Sequence, residues 1–326
     1  MKTKGIMRAW GKILQGQRPA LSIEITRECP LRCPGCYAYL DGHLGDATTL
    51  RQLNDYQNQG LIDRFFRLID EHDPLHVSII GGELLVRFRE LNVILPRLAE
   101  RGIHTQVVTS AVRPIPTEWS QVRDLEISVS IDGLQPEHDI RRAPATYDRI
   151  LKHIIDHRIT VHCTVTRQQA QRPGYLEEFV HLWSANDAVH RILVSLYTPQ
   201  VGEVSAERLL PDDRTRVVAT LLALREQYPK LQMPTSMIEI YGNPPASPDK
   251  CVFARTTTCV SADFRTRITP CQFGGEPDCA QCGCAASAGL SAIGRHCLPG
   301  GLRMERLLGA SLWIGTVVRR TTPLES

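Results

Sequence analysis

Three cysteines stand within eight residues where a strand-like run ends. In TRECPLRCPGCYAY (26–39), Cys29, Cys33 and Cys36 have the spacing C-x3-C-x2-C. Three thiolates on one short loop can face a common centre. A closed tetrahedral zinc site wants four ligands, usually as two C-x2-C pairs. Three thiolates with no neighbouring fourth ligand leave one iron of a [4Fe–4S] cluster open to another molecule. His43 lies nearby, but a single loop histidine reads as solvated rather than as a ligand. Tyr37 and Tyr39 follow the last cysteine and can shield a cluster. A structural zinc or a redox thiol cluster is the alternative use of the same residues.

A second group follows residue 250: Cys251, Cys259, Cys271, Cys279, Cys282, Cys284 and Cys297. PDKCVFARTTTCVSADFRTRITPCQF (248–273) reads as a cysteine, a hairpin with a polar turn near Asp263, and a cysteine. PDCAQCGC (277–284) adds three thiols. Four closed cysteine ligands satisfy either zinc or an iron–sulfur cluster. Cys163, in mid-strand, reads as a small buried hydrophobe. The chain has 11 cysteines, an odd number, and the opening MKTKGIMRAWGKILQG lacks a signal-peptide apolar run. Clustered thiols without a secretory signal point to a reducing, cytoplasmic setting and to metal rather than disulfides.

These residues need elements to hold them. Six runs rich in Val, Ile and Thr read as strands: 20–26, 75–83, 104–111, 125–133, 160–166 and 191–199. Helical patterns lie between and after them at 61–72, 88–102 (with Gly102 as C-cap), 146–158, 175–185 and 212–228. Strand–helix alternation predicts an α/β fold with a parallel sheet, as an open sheet or a partial barrel. In either, ligands gather at the C-terminal strand ends. Those ends carry polar residues or glycine: Thr26, Gly81-Gly82-Glu83, Thr109-Ser110, Ser130 and Asp132, Thr164 and Thr166, Ser195 and Tyr197. Prolines 234, 244, 245 and 248 mark a change of texture. The expected division is a basic segment over 1–19, the main unit over 20–235, a cysteine-rich unit over 236–300 and a tail over 301–326.

The 42% apolar and 22% charged composition is that of a globular protein, and 326 residues allow a sizeable core. A net charge of +3 and sparse aromatics give no support for nucleic acid as a partner. No run reaches the roughly 20 apolar residues of a membrane span. LLGASLWIGTVV (307–318), followed by Arg319 and Arg320, reads as a core helix, with an interfacial anchor as the other use. The N-terminal segment, with Lys2, Lys4, Arg8 and Lys12 among Ile6, Met7, Trp10, Ile13 and Leu14, leaves the same two uses open. The dinucleotide GxGxxG and the phosphate-binding P-loop are absent, which argues against hydride transfer and nucleotide hydrolysis.

The C-x3-C-x2-C loop after a first strand resembles the mark of the radical S-adenosylmethionine (SAM) superfamily. Many members have an aromatic before the last cysteine, where this chain has Gly35. GGE at 81–83 is similar to that family's GGEP motif, with Leu84 in place of proline. SVSIDGLQPEHDIRR (128–142) is similar to the S-x-D-G…HD-x-x-R segment of its peptide-modifying and sulfatase-maturing branch, and TVTRQ (164–168) sits where fifth-strand polar contacts fall. The resemblance covers residues 20 to about 200. It implies a partial (β/α)6 TIM-like barrel with a small cysteine-rich C-terminal extension. It implies that Cys29, Cys33 and Cys36 bind a [4Fe–4S] cluster whose fourth iron takes SAM. By the same match Gly81, Gly82 and Glu83 receive the SAM amino group, Ser130 and Asp132 line the ribose region, and Arg142 pairs with the SAM carboxylate, with Arg141 one residue off.

The C-terminal cysteines resemble the SPASM or shorter twitch extension of the same branch. Cys251 and Cys271 match it best, and two of Cys279, Cys282 and Cys284 would complete one auxiliary [4Fe–4S] cluster. A second cluster using Cys259 and Cys297 is not expected. The resemblance therefore implies an enzyme that cleaves SAM reductively, with an electron donor such as flavodoxin or ferredoxin, acting on a peptide or protein. A lipid or isoprenoid substrate with peripheral membrane contact is the alternative. A non-enzymatic iron–sulfur or zinc scaffold or sensor is the third reading.

Overall fold

The computed structural model describes residues 3–45, 48–297, 301 and 303–321. Among them, seven strands form one parallel sheet in the order β6-β5-β4-β3-β2-β1-β7. The strands are β1 (Ala20–Glu24), β2 (His76–Ile80), β3 (His104–Thr109), β4 (Leu125–Ser130), β5 (Ile159–Val165), β6 (Val189–Leu196) and β7 (Thr257–Val260). The helices are α1 (Thr3–Leu14), α2 (Asn58–His72), α3 (Phe88–Glu100), α4 (Gln135–Arg141), α5 (Tyr147–His153), α6 (Arg167–Gln171), α7 (Tyr175–Ser184), α8 (Pro211–Gln227), α9 (Thr235–Ile240), α10 (Val252–Thr256), α11 (Ala285–Arg295) and α12 (Met304–Thr321). Neighbouring strands in the run β1 to β6 follow one another in sequence with helices between most of them. This is the plan of a partial TIM-like barrel.

The two faces of the sheet differ, because side chains alternate along a strand. Leu21, Ile23, Val77, Ile79, Val107, Ile127, Val129, Val161, Val165, Ile192 and Val194 share one core with Phe65 of α2, Ile94 of α3, Phe179 of α7 and Leu221 of α8. Each side chain fully buried there contributes roughly 1.5–3 kcal/mol. Cys163 is buried on this apolar face, as expected of a small hydrophobe. The other face carries Ser22, Glu24, Ser78, Gln106, Ser128, Ser130, Thr160, His162, Thr164 and Ser195. A parallel sheet covered by helices on both sides would be apolar on both. This one keeps a polar face for chemistry.

The six expected strands lie at their expected places. β7 is an addition: it lies inside the segment read as a separate cysteine-rich unit, yet it pairs with β1 in parallel, Ala20 opposite Thr257 through Ile23 opposite Val260. The expected hairpin after it is one antiparallel bridge, Val260 to Arg267, around a turn that Asp263 caps through the amides of Arg265 and Thr266. Further on, the chain runs along β6. Leu196 N–H donates to Gly283 O, Asp278 N–H to Pro199 O, and Arg214 holds the carbonyls of Gln281 and Cys282. Residues 251–285 thus reach both edges of the sheet.

α12 packs on α1, where a Cβ on Gly315 would meet Ile13 O at 2.2 Å. Leu308 and Ser311 are buried, but Trp313, Ile314, Val317 and Val318 are exposed. The segment 307–318 is therefore not a core helix; only one side of it is covered. Lys2 and the side chains of Lys4, Ile6, Arg319 and Arg320 lie outside the described residues. No described helix is long and apolar enough to cross a membrane.

Candidate active site

The cysteine loop leaves β1 and is fixed at its root. Ile25 N–H donates to Ile80 O, and Thr26 Oγ1 donates to Asp55 while accepting from Glu28 N–H. Cys29 and Cys33 then pack on Leu31, Val112 and Ala145, and Cys36 packs beside Ala38, Leu50 and Ala262. All three thiols are half-buried. Burial pushes Cys29 up to about 12 and raises Cys33 and Cys36 as well. The Arg142 guanidinium pulls both Cys33 and Cys36 the other way.

The GGE turn is built against this root. Gly81 and Gly82 have φ of +83° and +51°, in the left-handed region that favours glycine. A Cβ on Gly81 would lie 2.4 Å from Glu24 Cβ, and one on Gly82 would lie 2.3 Å from Glu28 O. Glu83 N–H donates to that same Glu28 carbonyl at 2.8 Å. The Glu83 side chain is buried. It accepts from Leu85 N–H at 3.0 Å, from Thr109 Oγ1, and from Ser110 N–H at 2.8 Å. It clips the ends of β2 and β3 together, and Leu84, at the position of the family's proline, is fully buried.

Across from the cysteines, the loop after β4 brings Asp132 and Arg142 together. Asp132 Oδ2 accepts from Arg142 Nε at 2.7 Å and from Arg141 Nε at 3.3 Å, and Oδ1 accepts from Thr164 N–H at 3.0 Å. Burial alone would raise the Asp132 pKa, but the two guanidiniums hold it well below the usual carboxylate range. Both oxygens are thus engaged within the protein, and Asp132 acts on Arg142. The remaining Arg142 nitrogen, Nη1, donates to Ser110 Oγ at 3.2 Å. Ser130 is buried at the end of β4.

The HD-x-x-R segment is a clip around this pair. His138 is fully buried; its Nδ1 accepts from Asp132 N–H at 3.2 Å and its Nε2 donates to Ala145 O at 2.9 Å. Asp139 Oδ1 accepts from Tyr147 N–H. Arg141 reaches across to Glu207. Glu207 Oε2 and the Tyr197 ring sit where a Cβ on Gly35 would be, at 3.0 and 2.9 Å. An aromatic from the end of β6 therefore occupies the space beside the glycine at which this chain departs from the family's pattern.

His43 is not solvated. It is buried, with Nε2 on Glu24 Oε1 at 2.8 Å and Nδ1 on Phe273 O at 2.9 Å. Glu24, fully buried on the polar face, also accepts from Ser261 Oγ at 2.5 Å. Burial would lower the His43 pKa, but the Glu24 contact raises it. Tyr37 stacks edge-on against Phe273 with ring centres 5.1 Å apart. These contacts join the first cysteine loop to the second group, next to Cys271. The one sequence signal for them was a glutamate inside the strand run ALSIEIT.

Cys251, Cys271, Cys279, Cys282 and Cys284 line one cavity with Phe253, Phe273 and several prolines. Cys259 is buried outside that lining, and Cys297 is exposed. Burial raises the thiols of Cys259, Cys271, Cys282 and Cys284, and pushes Cys279 up to about 11. Among the described residues, no three His, Cys, Asp or Glu side chains are gathered tightly enough to hold a single metal ion. A four-iron cluster spreads its thiolate ligands wider than one zinc ion does, so this observation bears on zinc and not on a cluster. The donor set fits a cluster: soft thiols, apolar walls, and at the first group a guanidinium to offset negative charge.

Residues 23–167 match the family model described as Radical SAM superfamily. Among solved structures, SuiB of Streptococcus suis bound to the precursor peptide SuiA is similar at a TM-score of 0.56 and 16% identity, over 79% of this chain and 61% of SuiB. Native anSMEcpe with bound AdoMet and Cp18Cys peptide is similar at 0.52 and 13%, over 78% of this chain and 74% of the other. Identities this low speak for the fold alone. This chain spans about three-fifths of the length of SuiB. No curated protein sequence matches it.

Proposed function

We propose that this chain is a radical SAM enzyme that modifies a peptide or protein substrate. The observation that carries the reading is the Cys29–Cys36 loop, rooted against the Gly81-Gly82-Glu83 turn and facing the Arg142–Asp132 pair. Cys29, Cys33 and Cys36 would hold a [4Fe–4S] cluster, and four of the five cysteines lining the second cavity would hold an auxiliary one. When bound, cluster and SAM supply a 5′-deoxyadenosyl radical by one-electron reductive cleavage.

The chain's own residues orient and shield. The glycine turn offers backbone close to the loop for an amino group. Arg142, kept charged and aimed by Asp132, would bind the carboxylate of SAM. Ser130, His162 and Ser195 give the polar face donors and acceptors; His162 Nε2 lies 2.8 Å from Ser195 Oγ. A peptide, rich in amides, matches such a face better than a hydrocarbon does. SuiB bound to SuiA and anSMEcpe bound to the Cp18Cys peptide, two similar structures, support the same class. The exposed side of α12 supports the lipid alternative, and flotation with anionic liposomes separates the two.

The test is anaerobic reconstitution of the wild type and of a Cys29→Ala/Cys33→Ala/Cys36→Ala variant. The wild type should hold about eight irons and release 5′-deoxyadenosine from SAM with dithionite. The variant should keep about half the iron and release none. Stoichiometric zinc in place of iron, or no SAM cleavage by the loaded wild type, would refute the assignment.

A further inference from the structure

Beside the cysteine loop lies an open recess of about 430 Å³ lined by Arg27, Glu28, Cys29, Pro30, Arg51 and Val86. Its walls come from loops beyond the ends of β1 and β2, and none comes from the polar face of the sheet. Cys29 is the cysteine of the first group that forms part of it. Cys29, half-buried, would thus bring a ligand thiol of a cluster held by that group to the wall of the recess.

The rim is positive. Arg27 is exposed, and its Nη1 donates to two neutral groups, the carbonyls of Arg51 and Leu53, so its charge is not cancelled. Arg51 lies over the Tyr39 ring at 4.1 Å. Arg32 is exposed three residues beyond Cys29. Arg89 and Arg113 flank the Phe88 ring, two residues past Val86, and Arg113 follows Val112, which packs on Cys29 and Cys33. None of these five guanidiniums has an ion-pair partner among the described residues. The one carboxylate in the recess, Glu28, is held by Arg87 at 2.9 Å.

We infer that this recess is the docking face for an acidic one-electron carrier protein. The inference rests on the enzyme reading above, which requires an electron from outside. The carrier loses one electron and the cluster held by Cys29, Cys33 and Cys36 gains it; no atom or proton moves with it. Redox encounters are small and short-lived, and complementary rim charges serve them by steering approach rather than by tight packing. A shallow recess with an arginine rim beside a ligand cysteine has that form. An anionic peptide substrate is the other occupant of such a rim, but it would have to reach the polar face, from which no wall of the recess comes.

The experiment uses the reconstituted full chain with flavodoxin as the probe. Two charge-reversal variants are made: Arg27→Glu/Arg51→Glu in the recess, and Arg89→Glu/Arg113→Glu, which leaves the recess hydrogen bonds intact. Arg158→Glu, exposed before the start of β5 at the opposite pole, is the control. Wild-type binding should weaken steeply with salt. Both double variants should bind flavodoxin, and take its electron, about tenfold more weakly or slowly, while dithionite bleaches all proteins alike. The inference is overturned if the wild type does not bind flavodoxin at low salt. It is also overturned if both double variants behave as wild type, if Arg158→Glu weakens binding equally, or if the reversals affect only a peptide. Failure of dithionite to reduce the loaded wild type would instead sink the enzyme reading, and this inference with it.

Discussion

Asp132 organises the residues opposite the cysteines. Its two oxygens hold Arg142, Arg141 and the Thr164 amide. Asp132→Asn keeps the shape and removes the charge, leaving two guanidiniums with less compensation. Removing one partner of a buried pair strands the other, at a cost of about 3 kcal/mol. Urea unfolding should show that loss, and SAM binding measured separately should weaken with it; an unchanged midpoint would mean the pair is dispensable. His138 adds a pH dependence. Burial, reinforced by the Arg142 charge, lowers its pKa to about 4. Below pH 6.5 the unfolded chain takes up a proton that the folded chain refuses. The contribution is therefore fully present above pH 6.5 and is lost as pH falls through about 4. Between pH 7 and pH 5 the loss should be about 2 kcal/mol. His138→Asn should flatten that part of the stability curve; an equally steep curve in the variant would assign the slope to other histidines.

At the scale of elements, the turn after β2 and the loop after β1 form one unit, because Gly82 leaves no room between itself and Glu28 O. Gly82→Ala adds a Cβ 2.3 Å from that carbonyl, at a φ of +51°. Left-handed strain and the clash together should cost about 3 kcal/mol. The cysteine loop should retain less iron after reconstitution. Full iron loading with an unchanged melting temperature would show that the turn does not support the loop. This unit was legible in the sequence, since glycine pairs and clustered cysteines are conspicuous and local. The six strands were legible too, as runs of Val, Ile and Thr. β7 was not: four residues between a five-residue helix and a turn carry too little pattern. Nor was α11, AASAGLSAIGR, whose small residues and glycines blur any apolar stripe. The Glu24–His43–Ser261 and Arg141–Glu207 contacts join residues up to 237 positions apart, which no local spacing reports. His43 read as solvated because nothing near it in sequence announces Glu24.

At the scale of the whole molecule, the cysteine-rich segment does more than carry a second set of thiols. β7 covers the edge of β1, residues 276–285 run beside β6, and α11 lies beside β6 and α9. A stretch that touches both edges of a sheet is part of what keeps that sheet from pairing with another chain. This bears on whether the expected boundary near residue 235 separates two folding units. If it did, residues 1–245 would fold alone and lose only the auxiliary cysteines. The contacts argue otherwise. Such a truncation bares the β1 amides and carbonyls that pair with β7, and it leaves the buried Glu24 without Ser261 and His43 without Phe273 O. It also uncovers Leu196 and Tyr241, which are buried. The 1–245 chain should therefore aggregate or expose apolar surface to a dye such as ANS. The full chain with Cys251, Cys271, Cys279, Cys282 and Cys284 replaced by serine should keep its strands by circular dichroism. A soluble, cooperatively melting 1–245 chain would show that the barrel stands without its C-terminal segment. Aggregation of the truncation alone would show that the segment closes the fold first and holds its thiols second.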